Sequence, residues 1–158
     1  MKDHARFWIG IASKEHVKIA LAGGFMQFCH GKSAPARRPK KDDFVVYYSA
    51  KQQMDKCEPC QEFTAIGIIT DDTPYQVEQS PGFNPFRRDV RYFEAHDTPA
   101  KPLVPLLPFI KNKRSWGCAF RYGFLEIDAE SFKVIARAML KHKEEALGNL
   151  WQKEETDD

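Results

Sequence analysis

The stretch Phe7-Trp8-Ile9-Gly10-Ile11-Ala12-Ser13-Lys14-Glu15-His16-Val17-Lys18-Ile19-Ala20-Leu21-Ala22-Gly23-Gly24-Phe25-Met26-Gln27-Phe28-Cys29-His30 decides the architecture. Its first six residues favour a strand, because aromatic and β-branched side chains fit a pleated, half-buried surface. Ser13 then offers a hydroxyl to the unpaired N–H groups of a first helical turn, which predicts a helix over 14–22. Gly23-Gly24 supplies the left-handed conformation that ends a helix, and 25–30 returns to an extended pattern. A strand, a capped helix and a second strand within thirty residues predict a mixed α+β fold.

Beyond this unit, residues 31–43 carry Lys32, Pro35, Arg37, Arg38, Pro39, Lys40 and Lys41, so prolines interrupt regular structure while the charge stays positive. This is a basic surface loop. Phe44-Val45-Val46-Tyr47-Tyr48-Ser49 and Phe63-Thr64-Ala65-Ile66-Gly67-Ile68-Ile69-Thr70 have the composition of buried strands, and alternation predicts that Phe44, Val46, Ile66 and Ile68 point into the core. Strand-like segments at 75–79 and 90–95 flank Pro81-Gly82-Phe83-Asn84-Pro85-Phe86-Arg87-Arg88, a loop too irregular for a tight hairpin and the first candidate for function. Residues 102–110 contain three prolines and have room for one short helical turn before Lys111-Asn112-Lys113-Arg114. Asp128 begins a final amphipathic pattern through Phe132, Ile135, Ala136, Met139, Leu140, Leu147, Leu150 and Trp151, which predicts a long C-terminal helix with 141–145 as its solvated charged face.

The chain has 158 residues, a length that suits one domain with a continuous core. The expected division is a core over about 7–140 and a helical extension over 141–158. Hydrophobic residues make up 42% and charged residues 29%, which excludes disordered and fibrous classes. Net charge is only +2, so phosphate binding has to be a local property of one surface. No apolar run approaches the ~20 residues that cross a bilayer, and the first thirty residues lack the order of a signal peptide, so a cytoplasmic protein without membrane contact is expected. A monomer is the expected oligomeric state.

Cys57-Glu58-Pro59-Cys60 has the spacing of half a tetrahedral zinc site, but the other half has only Cys29 and His30, which are adjacent and unlike a ligand pair. No metal and no cofactor are expected. A Cys60–His30 nucleophilic pair lacks an orienting third residue, and no glycine-rich phosphate loop or telling carboxylate pair is present. An enzyme is therefore the weaker reading.

The segments Trp8-Ile9-Gly10, Phe28-Cys29-His30-Gly31-Lys32, Tyr47-Tyr48-Ser49, Glu58-Pro59-Cys60-Gln61, Pro81-Gly82-Phe83, Arg87-Arg88-Asp89-Val90, Phe109-Ile110-Lys111-Asn112-Lys113 and Trp116-Gly117 occur in an order that resembles bacterial EVE-domain proteins, over about 7–139. The resemblance implies a PUA-like mixed β-barrel of about six strands flanked by helices, similar to the YTH readers of methylated adenine and to ASCH domains. It further implies a pocket between 13–16, 26–30 and 83–88.

A flipped base needs an apolar plate, groups that read its hydrogen-bonding edge, and cations for flanking phosphates. Phe86 or Met26 could serve as the plate, with Trp116 as a further wall. Ser13, Gln27 and Ser49 are candidates for the edge, His16 and His30 for further contacts in the pocket, and Lys32, Arg87, Arg88, Lys113 and Arg114 for phosphates. EVE-type proteins more often carry Trp where Phe86 stands. The same residues allow structural roles: Trp8 and Tyr47 as core, Gln27 and His30 as hydrogen-bond partners of the backbone, Trp116 as a barrel lid. The expected partner is RNA or DNA carrying a modified base, a modified cytosine in DNA being one option, bound without catalysis. The rivals are a small nucleoside-directed hydrolase or transferase using Cys60, His30 and Ser49, and a protein-interaction domain built on the C-terminal helix and Trp151.

Overall fold

The computed structural model describes residues 5–28, 33–121, 123–142, 144, 147 and 148. The elements run β1 (Phe7–Ile11), α1 (Lys14–Gly23), β2 (Phe25–Phe28), α2 (Ala34–Arg37), β3 (Phe44–Lys51), β4 (Pro59–Ile69), β5 (Tyr75–Gln76), β6 (Phe86–Tyr92), β7 (Thr98–Pro99), two 3₁₀ segments (Lys101–Leu106 and Trp116–Phe120), β8 (Phe124–Ile127) and α3 (Ala129–Met139). A curled sheet follows the order β2-β6-β4-β3-β1-β8, with β5 beside β6 and β7 beside β4. Among the described strands only the β1–β3 pairing is parallel; its connection passes through α1, β2 and α2. This is a PUA-like α+β fold.

The central strands β1 and β3 are buried on two faces, which explains why they read as unbroken apolar runs. Phe7, Ile9, Phe44, Val46, Tyr48, Phe63 and Ile66 form one core with Phe132, Ile135, Ala136 and Met139 of α3. Trp8, Val45, Tyr47, Ala65 and Ile69 form the other with Val17 and Ala20 of α1 and Phe25, Met26 and Phe28 of β2. Phe44, Val46 and Ile66 are buried as alternation predicts, and Ile68 is partly buried against the α3-side core. Each fully buried aliphatic or aromatic side chain contributes about 1.5–3 kcal/mol of transfer free energy.

The helix caps follow the local sequence. Ser13 Oγ accepts from His16 N at 3.2 Å, Gly24 takes φ +71° beyond α1, and Asp128 accepts from both the backbone and the hydroxyl of Ser131. Gly67 is required by proximity: a Cβ there would lie 2.6 Å from the Arg91 carbonyl oxygen, where β4 crosses β6.

Three expectations change. Residues 86–88 belong to β6, paired with β2 as Phe28↔Phe86, Gln27↔Arg87 and Met26↔Arg88, so the irregular loop stops at Pro85. The basic loop contains the single turn α2, with Pro35 in its first turn where no intrahelical N–H bond is lost. The C-terminal helix ends at Met139, because the following chain joins the 94–96 segment: His96 N donates to Met139 O, Lys141 N donates to Glu94 O, and Leu140 bridges Ala95. Trp151 lies outside the described residues.

Candidate functional site

A cavity of about 650 Å³ opens where β1 runs into α1 and β2 passes alongside. Gly10, Ile11 and Ala12 contribute to its wall, and Gly10 is needed there: a Cβ would meet Met26 Cε at 3.1 Å and Tyr47 Cε1 at 3.2 Å. Met26, Phe28, Tyr47, Phe83 and Phe124 supply apolar surface, and the exposed Ile19 and Met54 extend it to the mouth.

The aromatic wall is held from behind. Phe124 stacks on Trp8 with centroids 5.1 Å apart and planes within 6°, and meets Phe28 edge-on at 4.9 Å. Such pairs are worth about 0.5–1.5 kcal/mol beyond area burial, which fixes ring positions before any ligand arrives. Trp8 Nε1 donates to Asp43 Oδ2 at 2.9 Å, and Asp43 also accepts from the backbone of Arg6 and Lys40, so a buried carboxylate locks β1 to the start of β3.

The polar edge centres on Gln27. Its backbone N–H donates to Tyr47 OH at 3.0 Å, its Oε1 accepts from Arg87 Nε at 2.9 Å, and its Nε2 donates to Gln79 Oε1 at 2.8 Å. Because Arg87 can only donate, it sets which end of the amide is oxygen, and the relay orders the Gln79 side chain in turn. The Arg87 guanidinium lies 3.8 Å from the centroid of the Phe25 ring. His16 faces the Tyr47 ring edge at 6.5 Å; burial first and the Arg87 charge second hold its pKa below the ordinary value. A neutral imidazole in the cavity wall can donate at one nitrogen and accept at the other.

Among the residues singled out in the sequence, Ser13, His16, Met26 and Gln27 come together in this wall. His30 and Lys32 lie outside the described residues. Ser49, Phe86 and Trp116 are placed elsewhere. Ser49 is buried against Thr64 with the hydroxyls 2.8 Å apart. Phe86 packs at the edge of the α1-side core, and Trp116 packs against Tyr48 and Phe120 on the α3 side. Arg88 is turned inward by β6 alternation and is 1% exposed: Nε donates to Asp71 Oδ1 at 2.7 Å, NH2 to Asp71 O, and NH1 to the carbonyls of Ala36 and Pro39. Lys113 Nζ donates to Leu107 O at 2.6 Å, and Arg114 is exposed in the turn between the two 3₁₀ segments, flanked in the chain by Ile110 and Trp116 of the α3-side core. Sequence reasoning missed Phe124 and Gln79; Gly123 followed by the alternating Phe124-Leu125-Glu126-Ile127 is the available signal for the former.

Cys60 is half-buried, and burial together with its bond to Glu62 pushes its thiol up to about 11. Among the described residues, no three His, Cys, Asp or Glu side chains gather as a metal site, and no helix is long and apolar enough to cross a membrane.

A curled PUA-like sheet with an aromatic-walled cavity at the first strand–helix junction defines the class, that of small PUA-like modules. The EVE domain family model matches residues 6–138, and the chain belongs to that family. It is 45% identical over 129 residues to a protein of Bacillus licheniformis described as "UPF0310 protein in gntR 5'region", covering 82% of this chain and 88% of the relative. A UPF0310 protein of Streptococcus gordonii is 47% identical over 131 residues, covering 82% and 90% respectively. Among solved structures, the YTH domain of the Zygosaccharomyces rouxii MRB1 protein in complex with N6-methyladenosine RNA aligns with a TM-score of 0.54 and 14% identity, over 87% of this chain and 88% of that one.

Proposed function

We propose that this protein is a non-catalytic reader of a modified base in nucleic acid, one domain acting in the cytoplasm and taking the base into the cavity beside β1 and α1. The observation that carries the reading is the combination of a preorganised aromatic and methionine wall with the Arg87–Gln27–Gln79 relay in one cavity of about 650 Å³. That size lies within the ~300–1,000 Å³ typical of small-ligand sites, and a rigid plate beside oriented amides is the chemistry that reads an extruded base. The fold shared with a YTH domain solved on N6-methyladenosine RNA supports the same reading.

A modification matters here because an added methyl group buries apolar area against Met26, Phe28 and Phe124, whereas an unmodified base leaves that space to water. One methyl is worth about 0.8 kcal/mol by transfer, and more when it fills a preformed space. The nucleoside-directed enzyme reading is weakened by Cys60, since a thiol raised to about 11 is protonated at neutral pH and a poor nucleophile, and by Ser49, whose hydroxyl is buried against Thr64.

The test is fluorescence anisotropy with RNA and DNA strands carrying methylated or otherwise modified bases beside their unmodified counterparts. At least one modified strand is expected to bind about tenfold tighter, or about 1.4 kcal/mol. Equal affinity across the panel at low salt would remove the base-reading claim, because phosphate binding alone is indifferent to the base.

A further inference from the structure

The basic segment 31–43 presents Arg37, Arg38, Lys40 and Lys41 at the surface. The described part of this segment is built more firmly than a loop of charges requires. Arg88, itself buried, reaches from β6 to the carbonyls of Ala36 and Pro39. Asp43 accepts the Lys40 N–H at 2.8 Å, and Asp43 N donates to Lys40 O. These bonds pin Ala36, Pro39 and Asp43 inward and leave Arg37, Arg38, Lys40 and Lys41 exposed. Two carboxylates bonded to this segment or to its anchor Arg88 are largely spent inside: Asp71 pairs with Arg88, and Asp43 is buried under three donors, so within 33–43 only Asp42 opposes the four cations at the surface.

This basic surface adjoins the cavity. Arg38 and Pro35 line it, and the Arg38 guanidinium lies 4.9 Å from the centroid of Trp8, the ring on which Phe124 stacks. The alternative cations Lys113 and Arg114 stand between the two 3₁₀ segments, on a stretch flanked by Ile110 and Trp116 of the opposite, α3-side core.

Resting on the base-binding reading above, we infer that Arg37, Arg38, Lys40 and Lys41 form a phosphate-holding rim. They carry the backbone of the strand whose base occupies the cavity, with Arg38 at the junction of base and phosphate. Arg88 is the positioning residue of this rim, acting through the carbonyls of Ala36 and Pro39. A polyanionic strand suits this surface because four cations within five positions span several phosphates, and each phosphate neutralised releases condensed counterions.

The experiment measures dissociation constants of the full chain for modified and unmodified single strands across a salt series, for wild type and for Arg37→Gln/Lys40→Gln/Lys41→Gln. These side chains are exposed, and circular dichroism checks that the fold is kept. Losing three contacts is expected to make the slope of log Kd against log salt shallower by about two units, at ~0.7 per phosphate on single strands, while the preference for the modified strand persists. Arg38→Gln alone should lower the slope by under one unit and also reduce that preference. An unchanged slope in the triple variant overturns the inference, as does a slope that falls only in Lys113→Gln/Arg114→Gln. If the slope falls as expected but wild type never distinguishes modified from unmodified strands, the rim stands and the base-reading claim fails. If wild type binds no strand, both fall.

Discussion

Replacing Arg88 by alanine separates a scaffold role from a phosphate role. The guanidinium is 1% exposed and holds Asp71 together with the carbonyls of Ala36 and Pro39. Its removal leaves the backbone carbonyls of Ala36, Pro39 and Asp71 without this donor, at about 1–3 kcal/mol for each buried group left unsatisfied. The Asp71 side chain keeps 18% of its surface and still accepts from Asp89 N, so water and that bond absorb part of the lost ion pair. Breaking a buried pair costs about 3–5 kcal/mol, and we expect Arg88→Ala to fall in that range. At ~2–4 °C per kcal/mol for chains of this length, Tm should drop by about 6–20 °C. Thermal and urea unfolding followed by circular dichroism provide the assay. A variant with wild-type Tm that loses only strand affinity, with a shallower salt slope, would refute the reasoning and return Arg88 to the phosphate group.

Phe83→Ala should weaken binding of the preferred modified strand by about 1–3 kcal/mol, the scale of a lost stacking ring, whereas Phe86→Ala should lower Tm and leave the affinity of the folded fraction unchanged; the opposite pattern would move the plate to Phe86. Because the folded state holds the His16 pKa below its ordinary ~6.5, the unfolded chain binds the proton more readily, so His16 subtracts stability as pH falls through and below that value. His16→Gln should therefore flatten the decline of Tm on acidification, and an unaltered decline would show that His16 is not a source of it. Alkylation at mildly alkaline pH, read by mass spectrometry, should label the exposed Cys57 and Cys118 before Cys60, and fastest labelling at Cys60 would restore the nucleophile reading.

The parts of this fold that were legible in the sequence are those fixed by neighbours in the chain. Ser13 and Asp128 cap helices through bonds to residues three positions on, and Gly24 closes α1 onto Ala20. The β1 and β3 runs are apolar throughout because one strand face meets α1 and the other α3. What was not legible depends on distant pairing. Pro81, Gly82 and Pro85 give the following residues the look of a loop, and only pairing with β2, about sixty residues earlier, makes Phe86–Arg88 a strand and sends Arg88 inward. The same distance hides the cavity's back wall, since Phe124 acquires its position by stacking on Trp8. Arg38 looks like any loop cation until its place beside Trp8 is seen. Helical spacing continues past Leu140, yet hydrogen bonds offered by Glu94 and His96 divert the chain at Met139.

Methionine methyl NMR on the full chain tests the central claim most directly, because the methionines report on different places. Met26 sits in the cavity wall, Met54 at its mouth, and Met139 in the core on the α3 side. Titration with a strand carrying the preferred modified base should shift the Met26 and Met54 methyl resonances and leave Met139 in place. The unmodified strand should move Met26 far less. Saturable binding that leaves Met26 and Met54 unmoved would contradict the account, since the base would then be read elsewhere on the molecule.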